Sequence, residues 1–235
     1  MPVSTDNNVR KYDMARYRRL QTLIAAENTG MIPLFYHSDM ETARGIMKAC
    51  VKGGAPLVEF TNRGDFAIEV FSALEKYARD ELKECILGAG SILDAPTAAL
   101  YIACGANFIV SPCFSEEVAR LCNKRKIPYM PGCNTIAEIQ HAEEFGCEII
   151  KIFPGEVAGS KFFKAVKAPI PHTSLMPTGG VSPTKESLSE WFGAGATCVG
   201  IGSQLISKQL VEKKDYEALE QNVRECIRII KAIRE

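Results

Sequence analysis

Short apolar runs recur along the chain, separated by stretches in which apolar positions return every three or four residues. Runs rich in β-branched side chains and bounded by Gly, Pro or Asn predict strands. They fall at 31–36, 56–61, 85–89, 107–110, 128–130, 148–153, 174–177 and 197–201. The stretches between and after them predict helices near 40–52, 66–82, 95–104, 116–124, 136–145, 160–166, 185–192 and 216–234. Eight strands, each followed by a helix, argue for an α/β architecture closed as a (β/α)8 TIM barrel. An open doubly wound sheet is the competing arrangement, but no GxGxxG follows the first strand, and the barrel is preferred. Ahead of the first strand, 11–27 predicts an additional helix with Met14, Tyr17, Leu20, Leu23 and Ile24 along one stripe, placed to cover the N-terminal end of the barrel. Residues 1–30 thus read as an N-terminal helical extension and 31–235 as the barrel domain.

Composition narrows the class. A chain of 235 residues with 28 basic and 28 acidic side chains carries no one-signed charge, so no nucleic-acid partner is expected. The N-terminus holds Arg10, Lys11, Arg16, Arg18 and Arg19 but no apolar h-region, and no run approaches the roughly 18 apolar residues of a membrane span. Nine cysteines without a CxxC pair, most inside apolar stretches, read as buried reduced thiols of a cytoplasmic protein. His37, His141 and His172 are dispersed and lack metal-ligand spacing, so neither metal nor cofactor is expected.

Against that background one charge stands out. Lys151 interrupts the apolar run Glu148-Ile149-Ile150-Lys151-Ile152-Phe153-Pro154. An ammonium buried there loses hydration, which favours the neutral amine, the form a Schiff-base nucleophile needs. A lysine snorkelling from the strand end to water is the other reading. In Leu57-Val58-Glu59-Phe60-Thr61-Asn62-Arg63, period-two alternation sends Val58 and Phe60 toward the helices and Glu59 and Thr61 inward. Glu59 is then either half of a buried ion pair or a general acid/base beside the amine. Arg63, about 13 Å further along an extended strand at about 3.3 Å per residue, lies nearer the mouth. There it can fork onto a carboxylate or make a surface salt bridge.

The strand ends carry the remaining signals, since barrels do chemistry at that face. Gly88-Ala89-Gly90-Ser91 allows close backbone approach to a ligand, with a hydroxyl beside it. Ser111-Pro112 and Pro131-Gly132 read as tight strand exits. Pro177-Thr178-Gly179-Gly180-Val181-Ser182-Pro183 and Gly200-Ile201-Gly202-Ser203 are glycine-rich loops feeding helices, suited to an anion. In the first of them Ser182 is the expected helix cap and Pro183 the first helical residue.

Taken in order, the segments 59–63, 88–91, 111–112, 131–132, 151–154, 177–180 and 200–203 resemble the KDPG/KHG aldolase family, over about residues 30–210. The resemblance implies a class I aldolase that cleaves 2-keto-3-deoxy-6-phosphogluconate to pyruvate and glyceraldehyde 3-phosphate. It implies Lys151 as the Schiff-base lysine and Glu59 as the acid/base. Arg63 and Ser91 would bind the substrate carboxylate, with Thr61, Pro112 and Phe153 flanking the substrate. Thr178, Gly179, Gly180, Gly202 and Ser203 would bind the phosphate, and the assembly would be a homotrimer. The alternative substrates are 4-hydroxy-2-oxoglutarate and 2-keto-3-deoxy-6-phosphogalactonate. A phosphosugar isomerase or decarboxylase, and a non-catalytic phosphosugar-binding barrel, are the rival classes. The chain departs from the family at Ser91, where threonine is frequent, at Asn62 for a usual leucine, at Gly64-Asp65, and at Gln204 for a frequent tryptophan.

Overall fold

The computed structural model describes residues 15–235. Among the described residues nine parallel strands and ten helices follow in the order α1 (Arg19–Thr29), β1 (Met31–Phe35), α2 (Met40–Lys52), β2 (Leu57–Thr61), α3 (Ala67–Glu81), β3 (Ile86–Gly90), α4 (Ala95–Ala103), β4 (Ile109–Val110), α5 (Glu116–Arg125), β5 (Tyr129–Met130), β6 (Gly132–Cys133), α6 (Ile136–Glu144), β7 (Ile149–Ile152), α7 (Gly155–Lys167), β8 (Ser174–Pro177), α8 (Lys185–Gly193), β9 (Val199–Ile201), α9 (Lys208–Glu212) and α10 (Tyr216–Arg234). The alternation of strand and helix is the α/β pattern expected from the sequence.

Six strands form one sheet in the order β5-β4-β3-β2-β1-β9, and three form another in the order β6-β7-β8. The expected strand at 128–130 has a counterpart on each side of Pro131, which lacks the N–H needed to continue a ladder. Its carbonyl still accepts the Lys151 N–H at 2.9 Å, which links the β5–β6 junction to β7. On the other flank, single parallel bridges pair Leu175 with Ala196 and Thr178 with Gly200, joining β8 and the residue after it to β9 and the segment before it.

Period-two alternation sorts the strand side chains into two apolar clusters. Val58, Phe60, Leu87, Ala89, Ile150 and Ile152 pack with the helices. Ile32, Leu57, Ile86, Val110, Met130, Ile149 and Met176 pack with one another, and Leu23 and Ala26 of α1 close that cluster. Strands of both sheets therefore share one interior face.

Most helices begin where a short polar side chain accepts an N–H of the first turn: Asp39, Asp94, Ser115, Thr135, Ser207 and Asp215 all do so. Helix α8 starts later than Ser182-Pro183 suggested, because Thr184 caps it by accepting from Ser187 N–H. The Ser182 N–H instead donates to Ser187 Oγ at 3.2 Å. No helix among the described residues is long and apolar enough to cross a membrane.

Helix α1 differs from its expected form. Positions 11–14 lie outside the described residues, 15–17 form a bend, and the helix begins at Arg19. Its buried face is Thr22, Leu23, Ala26 and Thr29, while Leu20 and Ile24 are 69% and 52% exposed. Leu23, on the expected stripe, is buried, and Ala26 rather than Leu20 or Ile24 joins it in the inner cluster. Tyr17, expected on the helix, precedes it and donates its N–H to Asn107 Oδ1 at 3.1 Å and its hydroxyl to the Lys83 carbonyl at 2.6 Å. If this face is the working one, Leu23→Ala should cost about 2–5 kcal/mol in urea unfolding, as large-to-small core changes do. Leu20→Ala should stay within about 0.5 kcal/mol of the parent.

Candidate active site

Lys151 lies in the middle of β7, with Ile150 and Ile152 turned to the helices, and is only 6% exposed. Parallel register sets it between Gly132 of β6 and Met176 of β8. Its ammonium stands 4.8 Å from the centroid of the Phe153 ring. Burial holds the Lys151 pKa below the usual lysine value; the Glu59 charge pulls it upward and the Arg63 charge pushes it further down. Snorkelling to water is thus not what this lysine does.

Glu59, on β2, is 1% exposed. Burial raises its pKa above the usual carboxylate range, against the opposing charges of Lys151 and Arg63. Its Oε1 is buried without a hydrogen-bond partner, and Glu59 and Lys151 do not close into a contact ion pair. The two groups influence each other through space, leaving the amine free to meet another molecule.

The glycines of β3 explain where that carboxylate sits. A Cβ on Gly90 would fall 1.7 Å from Glu59 Oε1, and one on Gly88 would fall 2.4 Å from the Phe108 ring. These glycines, expected from the sequence to admit a ligand, first make room for neighbouring side chains. Ser91, next in the chain, is half-buried and holds a left-handed backbone with φ 59°. Thr61 is buried, and its hydroxyl donates to the Phe35 carbonyl at 3.2 Å. Arg63 is exposed on the loop beyond β2 and still acts electrostatically on both Glu59 and Lys151. The Pro112 carbonyl occupies the space a Gly132 side chain would need, 2.0 Å from the ideal Cβ. Phe153 is half-buried, and its carbonyl accepts from Asn134 Nδ2 at 2.7 Å.

A second group of expected residues gathers beside β8 and β9. The bridge between Thr178 and Gly200 sets the loop after β8 against β9. Thr178 is buried with an unpartnered Oγ1, which lies 2.4 Å from the position of a Gly200 Cβ. Gly179 and Gly180 have φ 88° and 71°, the left-handed region glycine adopts without strain. Gly202 is half-buried and Ser203 exposed. Glu156, in the first turn of α7, was not among the residues expected here. Its Oε2 lies 2.3 Å from an ideal Gly179 Cβ, so its carboxylate covers that glycine. No motif marked Glu156, which lies ahead of the helix expected at 160–166; the turn that carries it is joined to that helix across Gly159, with φ 71°. Asn134 was missed because its partner Phe153 is 19 residues away.

Chemically, the arrangement offers a nucleophilic amine, a carboxyl group able to move a proton, and an arginine within electrostatic reach of both. Among the described residues no group of three or more His, Cys, Asp or Glu is placed to hold a metal ion.

Comparison with known proteins converges on one family. Residues 25–222 match a family model described as KDPG and KHG aldolase. The chain is 32% identical over 199 residues to the 2-dehydro-3-deoxy-phosphogluconate aldolase of Pseudoalteromonas atlantica, covering 84% of this chain and 89% of that protein. It is 30% identical over 199 residues to the KHG/KDPG aldolase of Escherichia coli strain K12, covering 84% and 90%. A crystal structure of KDPG aldolase from Legionella pneumophila, with pyruvate captured at low pH as a covalent carbinolamine intermediate, superposes with TM-score 0.76 at 25% identity over 85% of this chain and 96% of that one. Matched across most of its length and paralleled by relatives of nearly the same extent, the chain belongs to the KDPG and KHG aldolase family and is an aldolase, a carbon–carbon lyase.

Proposed function

We propose that the protein is a class I, Schiff-base-forming aldolase that cleaves 2-keto-3-deoxy-6-phosphogluconate to pyruvate and glyceraldehyde 3-phosphate. The observation that carries this reading is Lys151: an amine 6% exposed, its pKa lowered by burial, beside a buried carboxyl group that does not neutralise it by contact. Lys151 Nζ attacks the C2 ketone, and loss of water gives a protonated imine. Glu59, directly or through a water, takes the C4 hydroxyl proton. The C3–C4 bond breaks, its electron pair flows into the imine, and the aldehyde leaves. The resulting enamine is protonated at C3 to the pyruvate imine, which water hydrolyses to pyruvate and free amine. The imine serves as the electron sink, so the scheme uses no metal or cofactor. The carbinolamine of pyruvate in the Legionella relative supports this chemistry.

In this reading Arg63 and Ser91 hold the substrate carboxylate, while Thr61, Pro112 and Phe153 wall the reacting carbons. Thr178, Gly179, Gly180, Gly202 and Ser203 take the phosphate. The strands close as a (β/α)8 barrel, supported by the bridges at Leu175 and Thr178, the Pro131 link to β7, and the apolar cluster shared by both sheets. Residues 31–235 make the catalytic unit, 1–30 its extension, and the enzyme works as a cytoplasmic homotrimer on a small molecule without nucleic-acid or membrane partners.

One observation favours a second substrate. The Glu156 carboxylate covers Gly179, so a phosphate on that loop must displace a like charge. Unphosphorylated 4-hydroxy-2-oxoglutarate demands less of this site. 2-Keto-3-deoxy-6-phosphogalactonate, differing in sugar stereochemistry, carries the same phosphate and faces the same obstacle.

Incubation with pyruvate and borohydride should attach one reduced adduct, on the peptide containing Lys151. Lys151→Arg should fold yet lose both adduct and aldol cleavage, because a guanidinium forms no imine. An adduct elsewhere, or retained turnover, would overturn the assignment and leave a binding protein or another enzyme class.

Glu59→Gln should lower turnover about 10²–10⁴-fold, the range for one acid/base function. The same change also has a signed pH effect. The Glu59 charge favours the ammonium, so removing it lowers the Lys151 pKa further. The acid limb of pyruvate trapping should then move to lower pH; a shift to higher pH would contradict the pairing.

For the distal end, inorganic phosphate should compete with phosphorylated substrate, and Glu156→Gln should strengthen that competition. If phosphate does not compete, and 4-hydroxy-2-oxoglutarate is cleaved as well as the phosphorylated acid, the second substrate replaces the first.

A further inference from the structure

The loop that carries Arg63 is held by contacts that the aldol chemistry itself does not use. Asn62 directly follows the last residue of β2, and its backbone N–H donates to the Gly90 carbonyl at 2.8 Å. Its side-chain Oδ1 accepts a 2.9 Å hydrogen bond from the hydroxyl of Tyr101 on α4. Tyr101 is 1% exposed, and its ring meets the buried Phe71 edge-on at 5.0 Å. The phenol is therefore fixed by the core, and burial pushes its pKa up to about 12, so it stays a donor at neutral pH. On the other side of Arg63, Gly64 has φ 88°, and the Tyr36 hydroxyl lies 2.9 Å from where its Cβ would be. The backbone bearing Arg63 thus passes between two tyrosine hydroxyls just where the β2–β3 ladder ends.

We propose that Asn62 and Tyr101 form a positioning pair that fixes the origin of the Arg63 side chain, and so sets its aim at the substrate carboxylate. The proposal rests on the reading of Arg63 as the carboxylate ligand. Arg63 is long and exposed, so its own packing does little to locate it. What limits its reach and direction is the backbone it leaves, and that backbone is tied through Asn62 to β3 on one side and α4 on the other. A backbone freed by loss of the Tyr101 bond samples more orientations, and the carboxylate pays for that choice on binding. The amine at Lys151 sits on a different strand and keeps its reactivity once pyruvate is bound.

The test measures the pyruvate concentration giving half-maximal borohydride trapping, and the maximal trapping rate, in the parent, Tyr101→Phe, Asn62→Ala, Arg63→Ala and Tyr101→Phe/Arg63→Ala. Tyr101→Phe keeps the ring on Phe71 and should raise half-saturation about two- to tenfold, the scale of one net hydrogen bond. The maximal rate should stay within about twofold of the parent, and Asn62→Ala should behave the same way. With Arg63 absent there is nothing left to aim, so the double variant should match Arg63→Ala alone. A merely structural role predicts additive effects or a fall in maximal rate, and either result overturns the proposal. If Arg63→Ala raises half-saturation while Tyr101→Phe and Asn62→Ala do not, the positioning pair alone fails. If Arg63→Ala changes nothing, its role as carboxylate ligand fails and the pair fails with it.

Discussion

Taking an ammonium and a carboxyl group out of water on the same interior face is the constraint from which the rest of the site follows. The idealised cost of moving one such ion into a medium of low dielectric is of order 20 kcal/mol, and effective penalties remain several kcal/mol per ion. A close salt bridge would offset part of that cost, but it would also hold the lysine charged. Lys151 and Glu59 stay apart, and Glu59 Oε1 has no partner. The system responds by moving both groups toward their neutral forms, Lys151 downward and Glu59 upward. What stabilises this arrangement is the apolar packing on both sides of the strands, which offsets the cost of a buried amine and an unpartnered carboxyl oxygen.

Space for those groups comes from glycine. Gly90 leaves room for the Glu59 carboxyl, Gly88 for Phe108, and Gly200 for the Thr178 hydroxyl. Each gives up side-chain packing and backbone rigidity in a strand to admit a neighbour's atoms. The strand ends are consequently held by other means. Asn62 reaches Gly90 and Tyr101, Asn134 reaches Phe153, and Gly155 N–H reaches the Thr178 carbonyl at 2.8 Å. Backbone N–H groups and the Asn62 and Asn134 side chains at the rim together do the fixing that a longer ladder would do elsewhere.

This division explains what the sequence disclosed. Lys151 and Glu59 were legible because each is a charge at an inward position of a run whose alternation is otherwise apolar, a purely local signal. The strand and helix alternation was legible for the same reason. The face of α1 was legible only at Leu23, since the Leu20–Ile24 side and the Leu23–Ala26 side both satisfy helical spacing and only the tertiary contact decides. Nor was the Tyr101–Asn62 bond, which spans 39 residues between a helix and a strand end. Glu156 was invisible too: it falls in the stretch before the helix expected at 160–166, and only the fold lays it over Gly179. Family resemblance located the residues near the loops, but not the side chains that shape their environment.

The two ends of the site are therefore built on different physics. The amine and carboxyl lie where water is excluded, so their mutual influence is strong and changes there alter the chemistry itself. The distal loops are open: Gly180, Ser203 and Glu156 are exposed, and charges there are screened within about 10 Å at 0.1 M salt. In the proposed reading, substitutions around Gly179 shift the preference for a phosphate by modest amounts without disturbing the buried pair. On that same reading, the fold holds the bond-breaking step constant while its choice of distal group stays adjustable. The buried lysine then bears on the proposed reaction class, and the Glu156 carboxylate at the rim on the choice of substrate.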